Sequence, residues 1–212
     1  MNDLKKNFIE FTLNHEILRF GNFTLKSGRE SPYFFNTGLC CDGKLLRSLS
    51  EFYASYISEN IIDYDYIFGP AYKGITLASS ISMSLESKHN INKPFSYNRK
   101  ESKSHGEKGV FVGFQPNGSA LIIDDVISSG SSIRECIELL TLTKTDTFSV
   151  LVAFDRMEIG NKIRASSELT EEYSLKVHSI IDLEDILSFI ISDEKYQPYI
   201  DSMKKYIDQY KK

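Results

Sequence analysis

The sequence predicts an α/β fold: a doubly wound, mainly parallel sheet with helices on both faces and a small N-terminal cap. Three observations predict it. From residue 64 onward, short apolar runs alternate with amphipathic helical patterns, which is the rhythm of a parallel sheet with crossover helices. Two of those runs, in "YDYIFGP" and "ALIIDDV", are almost continuously apolar, as strands buried on both faces are. Ahead of them the stretch "FGNFTLKSGRESPYFFNTG", bounded by glycines and rich in aromatic residues, reads as short antiparallel strands.

The elements follow in order. Leu4, Phe8, Phe11 and Ile17 recur at helical steps and open the chain with a helix, after which the antiparallel segment completes a cap over about residues 1 to 40. Asp42 precedes Leu45, Leu46, Leu49, Phe52, Tyr53 and Tyr56, an N-capped amphipathic helix. Strands then fall at 64 to 70, 94 to 99, 120 to 126, 148 to 154 and 175 to 181, with helices at 73 to 88, 131 to 142 and 183 to 192. A polar gap follows the second of these strands. A helix over 197 to 212 closes the chain, with Pro198 in its first turn. One domain over residues 1 to 212 accounts for all of this, without repeats or a low-complexity linker.

Composition narrows the function. With 41% hydrophobic and 25% charged residues the chain can bury a core, so disorder throughout is excluded. A net charge of −4 argues against a nucleic-acid binder that blankets phosphates, and any anion site must be local. The three cysteines are an odd number, with Cys40 and Cys41 adjacent and Cys136 in a helical pattern, so reduced thiols are expected. "MNDLKKNFIEF" lacks the pattern of a secretory signal, and the longest apolar run, 150 to 154, is far short of a membrane span. A cytoplasmic location with no membrane partner is the expectation.

In doubly wound sheets ligands bind beyond the carboxyl ends of the strands. There the chain reads "LIIDDVISSGSS", residues 121 to 132. Asp124 and Asp125 end an apolar strand, and the turn into the next helix is stripped to Ser128, Ser129, Gly130, Ser131 and Ser132. The first N–H groups of a helix lack partners, and with the serine hydroxyls they make an anion cradle. Neither a Walker lysine nor three spaced glycines are present, which disfavours nucleoside triphosphates and dinucleotides. Carboxylates repel phosphate but accept hydrogen bonds from vicinal hydroxyls, so the combination describes a ribose 5-phosphate. The alternative is a solvated strand end with one helix cap. Two charges about 4 Å apart repel by roughly 1 kcal/mol in water and about 4 kcal/mol when partly buried, so the pair needs exposure or partners.

Three further stretches carry polar chemistry. "FGPAYKG", residues 68 to 74, offers backbone amides, Tyr72 and the cation of Lys73 to a second anion, or is an ordinary strand-turn-helix. "RKESKSHGEKG", residues 99 to 109, has no apolar residue and reads as a mobile loop extending to about 113. It is either a solvated charge run or a basic lid. In "LVAFDRMEIG", Arg156 follows a strand and can clamp a carboxylate bidentately, or form a surface ion pair with Asp155 or Glu158. His15, His89 and His178 are isolated, and no Cys/His metal cluster stands in the sequence.

"LIIDDVISSGSS" resembles the phosphoribosyl pyrophosphate (PRPP) motif of the type I phosphoribosyltransferases. With "FGPAYKG", "RKESKSHGEKG" and "FTLKSGRESPYFFN" it makes essentially the whole chain similar to the orotate-using members of that family. The resemblance implies the type I phosphoribosyltransferase fold, with the cap as a hood over the base, and transfer of ribose 5-phosphate from PRPP to orotate in pyrimidine biosynthesis. It implies PRPP contacts from Lys26, Tyr72, Lys73, Arg99, Lys100, Lys103 and His105, and from Asp124, Asp125, Val126, Ile127, Ser128, Ser129, Gly130, Ser131 and Ser132. Phe34 and Phe35 would frame the pyrimidine, partly through backbone contacts, while Ser128 and Arg156 would touch orotate. Lys103, Lys73, Asp124 and Asp125 are the residues expected to matter for catalysis, with Lys103 the most rate-sensitive in the lid.

Mg²⁺ is implied as well, bound mainly through PRPP, with Asp124 or Asp125 as candidate ligands. So is a homodimer whose lid loop reaches the neighbouring site. Ser128 stands where the family usually carries Thr, which keeps the hydroxyl and loses a methyl; Met157 and Lys108 also depart from the commoner residues. Asp124 and Asp125 are expected to hold hydroxyls rather than transfer protons, so a flat pH–rate profile across the carboxylate range is predicted. A transferase for another base, such as a purine, and a PRPP-sensing regulator are the rivals. The cap segment and Arg156 favour orotate, and the lack of a basic helix disfavours the regulator.

Overall fold

A computed structural model describes residues 1–25, 28–61, 63–100 and 109–210. Helix α1 (Asp3–Asn14) starts where the Asn2 side chain accepts the Lys5 N–H. It leads into β1 (Leu18–Thr24) and β2 (Glu30–Phe35), an antiparallel hairpin whose register is broken by a bulge between Phe20 and Phe23. Asp42 caps α2 (Gly43–Asn60) as its sequence predicts, accepting the Leu45 N–H at 2.8 Å.

β3 (Tyr66–Gly69) then runs into α3 (Lys73–His89), followed by β4 (Phe95–Asn98) and β5 (Phe111–Gly113). β6 (Asn117–Ile127) feeds α4 (Ser131–Thr141), and β7 (Lys144–Asp155) feeds α5 (Ala165–Tyr173). β8 (Lys176–Asp182), α6 (Leu183–Ile191) and α7 (Ile200–Tyr210) complete the chain. Among the described residues the main sheet has the order β5-β4-β3-β6-β7-β8, parallel throughout except for β5 against β4.

The continuous apolarity of the central strands has a simple cause. Side chains alternate across a strand, and both faces are covered. Ile67, Leu121, Ile123, Leu151 and Ala153 pack with Ile57, Leu77 and Ile81 on one face. Tyr66, Phe68, Ile122, Val150 and Val152 pack with Ile133, Ile137, Leu140 and Leu169 on the other. At the end of β3 the chain turns so tightly that a Cβ on Gly69 would lie 2.0 Å from the Gly74 carbonyl oxygen, so only glycine fits there.

Three expectations are corrected. The expected loop over 99 to 113 is shorter at its far end, because Phe111–Gly113 pairs with β4. A three-residue edge strand is too short to carry an alternation. Helix α5, absent from the sequence reading, presents only Ala165, Ser166 and Leu169 as buried residues, too sparse a stripe to mark a helix. Its position is held instead by Glu168, which accepts the N–H groups of Asn161, Lys162 and Ile163. The closing helix begins at Ile200, and Pro198 lies in a preceding 3-10 segment (Glu194–Tyr199) started by the Asp193 side chain on the Lys195 N–H.

Candidate active site

The chain leaves β3 toward β4 on one side and returns to β6 on the other, so β3 and β6 form the topological switch point of the sheet. The acid pair lies near the carboxyl end of β6 there, with Val126 and Ile127 completing the strand. Asp125 is 7% exposed, and its Oδ2 accepts Lys73 Nζ at 2.6 Å and Thr37 Oγ1 at 2.7 Å. Asp124 Oδ1 accepts the Asp125 N–H at 2.9 Å, and the Tyr53 hydroxyl donates to the Asp124 carbonyl at 2.8 Å. The cap, α2 and the start of α3 therefore converge on the pair. Burial, then the neighbouring charge of Asp125, pushes the Asp124 carboxyl up to about 7. The two acids are not a solvated strand end: one is paired and the other is held close to neutrality.

Behind them Ser128, Ser129, Ser131 and Ser132 are exposed, and Gly130 turns at φ +77° as the residue before α4. The turn is braced from below, since Arg134 Nη1 donates to the Ser129 carbonyl at 3.0 Å while the same guanidinium pairs with Glu168 and Glu172. A Cβ on Gly130 would press on Arg134 Nη1 at 3.1 Å and Leu169 Cδ1 at 3.3 Å. Four hydroxyls and the open end of an eleven-residue helix thus face outward on a fixed backbone. Ile127 is the exception in the motif. Its side chain is 1% exposed in the core and its carbonyl accepts the Arg156 N–H at 3.1 Å, so neither is available to a ligand. Val126 is half-buried and packs against the larger hydrophobic core.

On the other side of the acids, the Ala71–Tyr72 peptide is cis and the Ala71 N–H donates to Asn98 Oδ1 at 2.9 Å. Tyr72 is exposed, and Lys100 Nζ lies 5.0 Å from its ring centroid. Arg99 is anchored by its N–H on the Val110 carbonyl at 2.7 Å. Pro70, Ala71, Asn98, Arg99, Lys100 and Ser132 line a cavity of about 590 Å³ that joins this loop to the start of α4. Lys26, Lys103 and His105 lie outside the described residues.

The hairpin and the end of β7 depart most from expectation. Phe34 and Phe35 leave β2 on opposite faces, so their rings cannot flank one pyrimidine. Phe35 is buried with its ring 5.0 Å from that of Phe154, whereas Phe34 is half-buried beside Phe23 at 5.5 Å. Arg156 is neither free nor on the surface. It pairs with Glu158, Nε at 2.8 Å and Nη2 at 2.7 Å from Oε1, and Nη2 also donates to the Tyr206 hydroxyl at 3.2 Å. Asp155, the other candidate partner, is taken by Arg164 and the Met157 N–H. Since Glu158 occupies the Nε/Nη2 edge, a ligand carboxylate is left with the Nη1 end rather than the expected bidentate edge. No sequence signal marks Thr37, Tyr53, Asn98, Arg134 or Tyr206, because each matters only through its tertiary neighbours.

Among the described residues no group of three or more His, Cys, Asp and Glu could hold a metal. Asp124 and Asp125 offer at most a few carboxylate oxygens, which fits Mg²⁺ that takes its other ligands from substrate oxygens and water.

The family model for the phosphoribosyl transferase domain matches residues 44–172. Over 211 residues, 99% of both chains, the sequence is 44% identical to the orotate phosphoribosyltransferase of Actinobacillus pleuropneumoniae. It is 45% identical over 207 residues, 97% of both chains, to that of Haemophilus influenzae. The crystal structure of orotate phosphoribosyltransferase from Francisella tularensis superposes with a TM-score of 0.86 at 37% identity, covering 97% of this chain and all of that one. With the acid pair, the serine turn and the guanidinium of Arg156 arrayed along adjoining strand ends, the chain belongs to the phosphoribosyltransferase family, and within it to the orotate phosphoribosyltransferases.

Proposed function

We infer that the protein is an enzyme that transfers ribose 5-phosphate from PRPP to orotate, giving orotidine 5′-phosphate and pyrophosphate, in pyrimidine biosynthesis. One observation carries the reading: in a chain 44% identical end to end to an orotate phosphoribosyltransferase, the acid pair sits at the switch point with the serine turn directly behind it. The PRPP 5-phosphate rests on the N–H groups and hydroxyls of 128–132, and the ribose diol on Asp124 and Asp125. The pyrophosphate lies toward Lys73, Tyr72, Arg99 and Lys100, joined by Lys103 and His105 from the loop. Orotate meets Arg156 through its carboxylate, Ser128 through a hydroxyl, and the cap at Lys26, Phe34 and Phe35, for the phenylalanines through backbone as much as ring.

N1 of deprotonated orotate forms the new bond to C1′ as the bond to pyrophosphate breaks with its electron pair, inverting the centre through an oxocarbenium-like state. No side chain acts as nucleophile. Lys73 neutralises Asp125 in the free protein and is shared with the pyrophosphate when PRPP binds, so positioning and charge supply the catalysis. Bound Mg²⁺ would neutralise pyrophosphate oxygens, with Asp124 or Asp125 reaching it. A single domain over 1–212, a homodimer sharing its loops and a cytoplasmic setting complete the reading; no helix among the described residues is long and apolar enough to cross a membrane.

The direct test measures orotate consumption with PRPP and Mg²⁺ added together and separately. Loss of orotate only in the complete mixture is the expected result; no loss, or equal turnover of adenine, removes the assignment. A second measurement addresses the loop. Lys103→Ala should lower kcat by roughly 10²-fold while orotate affinity stays within a few-fold, and an unchanged kcat takes the loop out of the chemistry.

A further inference from the structure

Glu158 is 6% exposed and is the hub of a polar cluster of which the proposed reaction uses only Arg156. Its Oε1 faces Arg156 and accepts the Tyr206 hydroxyl at 2.6 Å, and its Oε2 pairs with Arg29 Nη1 at 2.8 Å. These residues come from separate parts of the chain: Arg29 from the β1–β2 hairpin tip, Arg156 and Glu158 from the end of β7, Tyr206 from α7. Aromatic rings wall the cluster. Arg29 lies 4.3 Å from the Tyr210 ring centroid and Arg156 lies 5.1 Å from that of Tyr33. Tyr206 packs on both rings, at 5.5 Å from Tyr33 and 4.7 Å from Tyr210.

Two features point beyond structural packing. Two guanidinium groups against one carboxylate leave a positive charge in a largely buried place, which favours an anion as the missing partner. The hydrogen bonds also divide the Arg156 fork: Glu158 and Tyr206 take Nε and Nη2, and among the described residues Nη1 donates to nothing. The hydroxyl of Tyr206 is fixed in both directions, donating to Glu158 and accepting from Arg156. Burial, then the hydrogen bond to Glu158, raises the pKa of this phenol, so it remains a donor at neutral pH. Arg29 draws on the second oxygen of Glu158 and limits how strongly the carboxylate can hold Arg156.

We propose that Tyr206 and Arg29 are positioning residues for base recognition: acting through Glu158, they aim the free end of Arg156 at the carboxylate of orotate and so help set specificity for a carboxylated pyrimidine. The proposal rests on the reading that Arg156 meets orotate. It makes α7 and the hairpin tip part of the specificity apparatus, although neither touches the reacting atoms.

The test compares Tyr206→Phe, Arg29→Met, Arg29→Lys and Arg156→Met in the full chain, after wild-type turnover of orotate has been measured. Tyr206→Phe removes one oxygen and keeps the ring packing, so a thermal midpoint near wild type accompanies it. It should raise the orotate KM roughly 5–20-fold, with kcat and the PRPP KM within about twofold. Arg29→Met should raise the orotate KM at least as much, and Arg29→Lys should recover most of the loss.

An unchanged orotate KM in Tyr206→Phe and Arg29→Met, with a large rise in Arg156→Met, overturns the positioning role and leaves the orotate reading standing. Equal rises in the KM of both substrates overturn it as well, because they describe general loosening. An Arg156→Met protein with wild-type orotate KM removes the contact on which the proposal is built, and wild-type protein inert toward orotate removes the reaction itself.

Discussion

Asp124→Asn is expected to stabilise the protein and cripple it at once. The folded chain holds a proton on Asp124 up to about pH 7, because burial and Asp125 disfavour its charge, whereas the unfolded chain releases it near 4. The folded state therefore binds more protons between those limits, and stability falls as pH rises from about 4 to 7. Asn removes that cost. The thermal midpoint of Asp124→Asn should match wild type at about pH 4 and exceed it by roughly 3–10 °C at pH 8. Over the same range the amide accepts fewer hydrogen bonds from the ribose diol, and kcat/KM for PRPP should drop roughly 10–100-fold. A midpoint that falls at pH 8 would show that burial and Asp125 do not disfavour the charge of Asp124.

The same group changes the expected pH–rate profile. A flat profile follows from the sequence, since acids that only hold hydroxyls move no proton. An Asp124 that titrates near 7 puts one limb in kcat/KM, which reports the free enzyme, and leaves kcat flat once PRPP occupies the site. Asp124→Asn should erase that limb.

Lys73→Met carries the second large effect. Lys73 Nζ is 2.6 Å from the buried Oδ2 of Asp125, and Thr37 is the other side-chain donor to that oxygen. Loss of the ammonium leaves the carboxylate with one neutral donor, which costs about 1–3 kcal/mol. Catalysis should suffer more, by roughly 10²–10³-fold in kcat, because the pyrophosphate loses a cation where its charge develops. The double variant Lys73→Met with Asp125→Asn separates the two roles: it should recover stability and none of the activity. Recovery of activity would mean that Lys73 serves only to neutralise Asp125.

Much of this site is local in sequence, and that is why it is legible. Asp124, Asp125 and the serines after them lie within nine residues, at a strand end where a continuous apolar run stops and Gly130 leads into the next helix. Asp42 could be named as a helix cap because its partner, the Leu45 N–H, is three residues away. Helix α5 and β5 carry no such local signal, since one is held by Glu168 gathering the preceding loop and the other by a neighbouring strand.

Arg156 marks the boundary. Its residue type and its place after β7 suggest a carboxylate ligand, yet which of its nitrogens remain free depends on Tyr206, fifty residues away, and on the hairpin tip that brings Arg29 to Glu158. Phe34 and Phe35 tell the same story in small: adjacent in the chain, they face opposite ways once β2 is pleated. The sequence by itself determined the layered sheet, the acid pair and the serine turn, because apolar strand runs and helix ends are properties of short segments. Only the tertiary structure decided which carboxylate is paired, which is held near neutrality and how Arg156 is aimed, because desolvation and charge pairing are set by groups that folding alone brings together.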